Sequence, residues 1–159
     1  GVVLLPRAAR LARHGSVHVL REHVGRLLAV VLPLTTAAVL AIQVVAEPVL
    51  AGYLGPTFAA AADPLRAISW AAIPWAAFVT LRGLLDASEV RPLNARDLGA
   101  AVLIYVGLVV LASLAGADAR WYHASFVAAA TALGLLTLLE ARATLASPPA
   151  AAELDPALP

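Results

Sequence analysis

The stretch LLAVVLPLTTAAVLAIQVVA, residues 27–46, decides how this chain folds: twenty consecutive positions without a charge. A helix gains about 1.5 Å per residue, so such a run covers the roughly 30 Å of hydrocarbon in a bilayer. In lipid an unpaired backbone N–H or C=O has no alternative partner, which makes the helix the expected form. Two more charge-free runs of similar length follow, at 98–117 and 121–139. A fourth apolar segment, 64–85, carries Arg66 near one end and Arg82 near the other. Those two lie about 24 Å apart along a helix, so each guanidinium can reach its own interface while its stem stays in the apolar layer.

Composition agrees with four spans. Of the 159 residues, 62% are hydrophobic and 13% charged, and the mean hydropathy is +0.87. A soluble domain carries about 25% charged residues, so a soluble enzyme, a nucleic-acid-binding domain and a disordered chain are all disfavoured. There is no Cys, which removes disulfides, thiolate metal sites and thiol catalysis. All 11 basic residues are Arg, a bias that fits a GC-rich bacterial genome together with the abundance of Ala, Gly and Pro. Residues 1–5 are apolar and are followed by Pro6 and Arg7, the reverse of a signal peptide. They read as the end of a fifth membrane helix and imply that the chain belongs to a longer protein. The expected fold is therefore all-α: a polytopic transmembrane bundle over residues 1–145, with four full spans plus the end of a fifth. The Pro- and Ala-rich segment 146–159 is expected to be a disordered cytoplasmic tail.

The Arg distribution assigns a direction. Arg7, Arg10, Arg13, Arg21 and Arg26 precede the first full span; 47–63 contains no basic residue; Arg91 and Arg96 mark the next connection, Arg120 the one after, and Arg142 follows the last span. Arg-rich short loops stay cytoplasmic. Residues 6–26, 87–97 and 141–159 are thus expected inside a bacterial inner membrane and 47–63 and 118–120 outside; with Arg82 counted at the inner end of its span and Arg66 at the outer end, nine Arg fall on the inner side and two, Arg66 and Arg120, on the outer. Asp63-Pro64 has the pattern of an N-cap followed by proline in the first turn, although one longer helix starting near Thr57 is equally compatible. Pro33 and Pro74 lie inside spans and are expected to bend them.

Few residues suggest chemistry. The segment 6–26 is amphipathic and basic, suited to the inner leaflet. Its Arg side chains either anchor on anionic head groups or grip a phosphate bidentately. His14, His18 and His23 lack the carboxylate that would complete a metal site. At membrane depth stand Thr35, Thr36, Gln43, Ser69, Thr80, Tyr105, Ser113 and Thr131, whose usual work is helix–helix contact or bonding to their own backbone. No nucleophile triad, phosphate-cradling loop or zinc motif is present. The chain is not expected to be an enzyme or to carry a cofactor.

The order of features resembles a known family. Leu4-Leu5-Pro6-Arg7-Ala8-Ala9-Arg10-Leu11 closes a span and opens a basic connection to a Pro-containing helix. Glu47-Pro48-Val49-Leu50-Ala51-Gly52-Tyr53-Leu54-Gly55-Pro56-Thr57-Phe58 follows, then an Ala-rich stretch into Pro64-Leu65-Arg66-Ala67-Ile68, and Leu84-Leu85-Asp86-Ala87-Ser88-Glu89-Val90-Arg91-Pro92. The pattern is similar to the C-terminal half of polysaccharide flippases of the multidrug/oligosaccharidyl-lipid/polysaccharide exporter superfamily. That resemblance implies one lobe of a two-lobed transporter for a lipid-linked oligosaccharide, with a first lobe of the same protein and the bilayer as its partners. Arg10, Arg13 and Arg66 are then the candidate substrate-binding residues. Two alternatives remain open: a drug or metabolite antiporter of that superfamily, and a small four-helix membrane accessory protein.

Overall fold

In the computed structural model the described residues are 17–88 and 93–146, and they form helices with no strand among them. Helix α1 (Val17–Leu54) has 38 residues, roughly 57 Å of rise, far more than a bilayer core requires. A 3-10 segment (Pro56–Ala61), helix α2 (Ala62–Ser69) and helix α3 (Ala72–Ser88) follow, then α4 (Leu93–Leu114) and α5 (Ala119–Ala146).

Three helices are long and apolar enough to cross a membrane, over Arg21–Leu54, Asn94–Leu114 and Ala119–Ala146. The three charge-free runs therefore fall where expected. The fourth expected span is not one helix. Its two parts, Pro56–Ser69 and Ala72–Gly83, are bent by 44° and make a fourth crossing only if the broken pair counts as one. Pro74 supplies the reason: its nitrogen has no hydrogen to give the Trp70 carbonyl, four residues back, and that carbonyl instead accepts a long 3.4 Å bond from Ile73. The chain breaks at Trp70–Ala71, one turn before the proline. The expected fifth stub at residues 1–5, and residues 147–159 of the expected tail, lie outside the described residues; Ala146, the first residue assigned to that tail, is the last of α5.

Two further expectations need correction. Residues 47–54 were expected in the outer connection but continue α1 through Pro48, which sits inside the helix. Asp63 does not cap a helix: α2 begins at Ala62 after Ala61, with no side-chain cap bond. The chain is already helical from Pro56, close to where the alternative of one longer helix begins, but it runs as a 3-10 segment and a short α2 that breaks at Trp70–Ala71; the Asp63 carboxylate accepts from Arg66.

Turns are closed by local chemistry. Gly116 has φ +64°, and the bonds Ala117 N–H to Ala112 C=O and Gly116 N–H to Ser113 C=O satisfy the last carbonyls of α4. Asp118 then caps α5 by accepting from the Arg120 amide at 3.0 Å. The result is a tight α4–α5 hairpin.

Helix α5 is the centre of the bundle and packs against α3 and α4. Its buried face is built mostly of small residues, Ser125, Ala129, Ala130, Gly134, Thr137 and Ala141, with Leu133. Small side chains let helix backbones approach, the usual basis of association in lipid. At one end Val24, Leu81, Leu85 and Ala141 form a cluster; Phe78, Ala101 and Leu133 form another. The outer surfaces are apolar instead of polar, with Val30, Leu34, Val44 and Val49 on α1 and Leu103, Val106 and Leu111 on α4 all exposed. Water would not tolerate so much contiguous apolar surface, whereas acyl chains would.

Candidate functional site

The hydroxyls at membrane depth are already used. Thr35, Thr36, Thr80, Ser113 and Thr131 each donate to the carbonyl four residues earlier, at 2.7–2.8 Å. Ser113 also lies 3.2 Å from the Tyr122 hydroxyl, and Tyr105 packs edge-on against Phe126. These side chains follow the structural reading given to them by sequence.

Gln43, Arg66 and Ser69 come together between α1 and the broken pair α2–α3. The Gln43 amide donates to Ser69 Oγ at 2.9 Å and to the Arg66 carbonyl at 3.2 Å. Ser69 Oγ donates to that same carbonyl at 2.8 Å. In return Arg66 Nε donates to the Gln43 backbone carbonyl at 2.9 Å. That carbonyl neighbours the one at Val44, which Pro48 leaves without its helical donor. The remaining guanidinium nitrogens meet two exposed acids, Asp63 at 3.2 Å and Glu47 at 3.6 Å. Arg66 is thus a clamp that ties the end of α1 to α2 through the main-chain carbonyl next to the one that Pro48 deprives of its donor. Of the three Arg singled out for substrate, it is the one within the described residues; Arg10 and Arg13 lie outside them.

A second polar cluster was missed by sequence. At the start of α4, Asp97 is 1% exposed. Arg96 donates to Asp97 Oδ1 through Nε at 3.3 Å and through Nη2 at 3.1 Å, and Nη2 also bonds Glu140 on α5. Asn94, one turn earlier, donates to the Arg82 carbonyl of α3 at 3.1 Å, which fixes α4 against α3 there. The second Asp97 oxygen, Oδ2, is buried and has no hydrogen-bond partner among the described residues. The available signal was the hairpin itself: Asp97 lies 19 residues before the Gly116 turn and Glu140 24 after it, so an antiparallel pair brings both to the same end of the bundle.

Among the described residues no group of three or more His, Cys, Asp or Glu could hold a metal ion. His14 lies outside the described residues and His23 is exposed on α1. Comparison with family models, with curated proteins and with solved structures finds no match to this chain.

Proposed function

We propose that this chain is one lobe of a membrane transporter that flips or exports a lipid-linked oligosaccharide or polysaccharide precursor across a bacterial inner membrane. The segment before α1, the connection between α3 and α4 and the C-terminus face the cytoplasm, and the connection after α1 faces outward. A first lobe of the same protein forms the other wall of the pathway. Transport proceeds by rocking of the two lobes about the substrate, with no covalent step.

The observation that carries this reading is the interrupted helix α2–α3 beside α1, with Gln43, Arg66 and Ser69 gathered at the interruption. Broken helices at membrane depth are tolerated where protein or a cavity covers them, and transporters use them to build binding sites. The order of motifs supports the substrate class, because an Arg-rich inner segment suits a pyrophosphate-linked head group.

The test is flipping of a fluorescent lipid-linked oligosaccharide in vesicles that contain the full product of the gene. Flipping well above the empty-vesicle rate is expected, and a rate equal to that of empty vesicles would refute the reading. Residues 1–159 alone are expected to give the empty-vesicle rate.

The role of the inner Arg is tested by complementation, normalised to membrane expression. If Arg10 and Arg13 grip phosphate, Arg10→Lys and Arg13→Lys each impair export, because Lys lacks the planar fork. If they only anchor on head groups, Lys serves as well as Arg, and full activity even of Arg10→Ala and Arg13→Ala removes the substrate role. Arg66 is unsuited to this comparison, since its loss also releases the clamp on α1.

A further inference from the structure

The polar cluster at the helix break has a one-sided capacity for further hydrogen bonds. The Gln43 amide nitrogen already donates to Ser69 Oγ and to the Arg66 carbonyl. A carbonyl can only accept, so the nitrogen stands on that side, and Gln43 Oε1 has no donor among the described residues. Arg66 is committed as well: Nε to the Gln43 carbonyl at 2.9 Å, Nη1 to Asp63 at 3.2 Å and Nη2 to Glu47 at 3.6 Å. Each acid meets it through one oxygen, and their side chains are 59% exposed at Glu47 and 89% at Asp63. Roughly eight acceptor positions therefore stay open on Gln43, Glu47 and Asp63, against about three N–H on Arg66.

Formal charge points the same way. Two carboxylates face one guanidinium, so the cluster carries one net negative charge. A phosphate brings only acceptors and more negative charge, and like charges at this range repel. A sugar hydroxyl brings a donor without a charge, and donors are what the cluster lacks. Trp70 follows Ser69 directly and keeps 42% of its surface exposed, an aromatic face of the kind that lines ligand sites beside a few polar groups.

We infer that the open acceptors of Gln43, Glu47 and Asp63, held in place by Arg66, form a binding site for the neutral, hydroxyl-rich saccharide of the substrate and not for its phosphate. The inference deepens the transporter reading and rests on it for the identity of the ligand. It also divides the substrate between the two ends of α1. The pyrophosphate belongs with the Arg-rich segment before the helix, and the sugars belong at the break.

The test is photo-cross-linking to the full product of the gene in vesicles. The probe is the fluorescent lipid-linked oligosaccharide with a diazirine on its terminal sugar, and peptide mass spectrometry locates the adduct. An adduct is expected within residues 43–47 or 63–70. The oligosaccharide cleaved from the same lipid should displace it, and inorganic pyrophosphate should not. The double variant Glu47→Gln, Asp63→Asn keeps the shape of both side chains and removes both charges. It is expected to lower the adduct about tenfold or more, as for loss of a hydrogen bond to a charged group. If Arg66 held phosphate, the same variant would free the guanidinium and raise the adduct. No adduct at these residues, displacement by pyrophosphate, or a rise in the double variant would each overturn the saccharide site. Suppression by ammonium chloride as strong as by the free oligosaccharide would overturn it in favour of a cation. An adduct here in a protein that flips no substrate refutes the transporter reading and keeps the site; flipping without the adduct does the reverse.

Discussion

Replacing Gly134 with valine is expected to give the largest loss of stability of any single change on the α5 face. A Cβ built on Gly134 lies 2.8 Å from Pro74 Cβ, 2.9 Å from the Pro74 carbonyl oxygen and 3.0 Å from Pro74 Cα. Two of those atoms are backbone and the third belongs to a ring, so none can swing aside. Either α3 and α5 separate or the side chain is strained. Overpacking of this kind costs about 1–3 kcal/mol for small additions, and two further methyl groups put valine at or above the upper end. Alanine is the sharper comparison. Gly→Ala in a helix gains about 1 kcal/mol from propensity, which works against the clash. A net loss from Gly134→Ala therefore means that the contact wins. Gly107 on α4 has nothing within 4 Å of its Cβ position, so Gly107→Ala is expected to be neutral or slightly stabilising. Unfolding midpoints in mixed-micelle denaturant titrations measure all three.

Arg66→Leu is expected to release α2 from α1. The change removes the 2.9 Å bond from Nε to the Gln43 carbonyl in a side chain that is 28% exposed. Hydrogen bonds from charged donors contribute about 1.5–3 kcal/mol, and that range is the expected loss. The acids beside it contribute little, because Glu47 and Asp63 are well exposed and ion pairs in such settings are worth about 0–1 kcal/mol. Glu47→Gln and Asp63→Asn should therefore each stay within about 1 kcal/mol of the parent. Arg66→Lys should not rescue the clamp, since a terminal ammonium cannot replace a donor at Nε while reaching the acids. If Lys restores the midpoint fully, the charge and not the backbone bond holds the segment.

The three uninterrupted spans were legible because their signal is local. A charge-free run of bilayer length can be counted without knowing its neighbours, and 27–46, 98–117 and 121–139 each fall within a long apolar helix. The ends were not legible for the same reason in reverse. Charges were taken as span limits at Glu47 and Arg96-Asp97, yet α1 continues past Glu47 to Leu54, and Asp97 is the most deeply buried charged residue described. Neither contact could be counted from the run itself: Glu47 meets Arg66 of the next segment, and Asp97 shares its neighbour Arg96 with Glu140 of α5. Sequence identified Pro74 as a bend but could not say that the break would fall a full turn earlier. Gly134 looked like any other glycine in an apolar run, because its role depends on the proline it meets from another helix.

The most direct test of the account is whether the broken pair α2–α3 crosses the membrane. The chain has no Cys, so Thr57→Cys, beyond α1, and Ala117→Cys, in the α4–α5 turn, can each be introduced alone and labelled with an impermeant maleimide in intact cells and in inverted vesicles. If α2–α3 is one crossing, exactly two crossings, α3 with its partner and α4, separate the two positions. Both are then expected to label from the periplasmic side. Labelling of Thr57→Cys and Ala117→Cys from opposite sides would mean that the broken pair returns to the face it entered, and would contradict the four-crossing lobe.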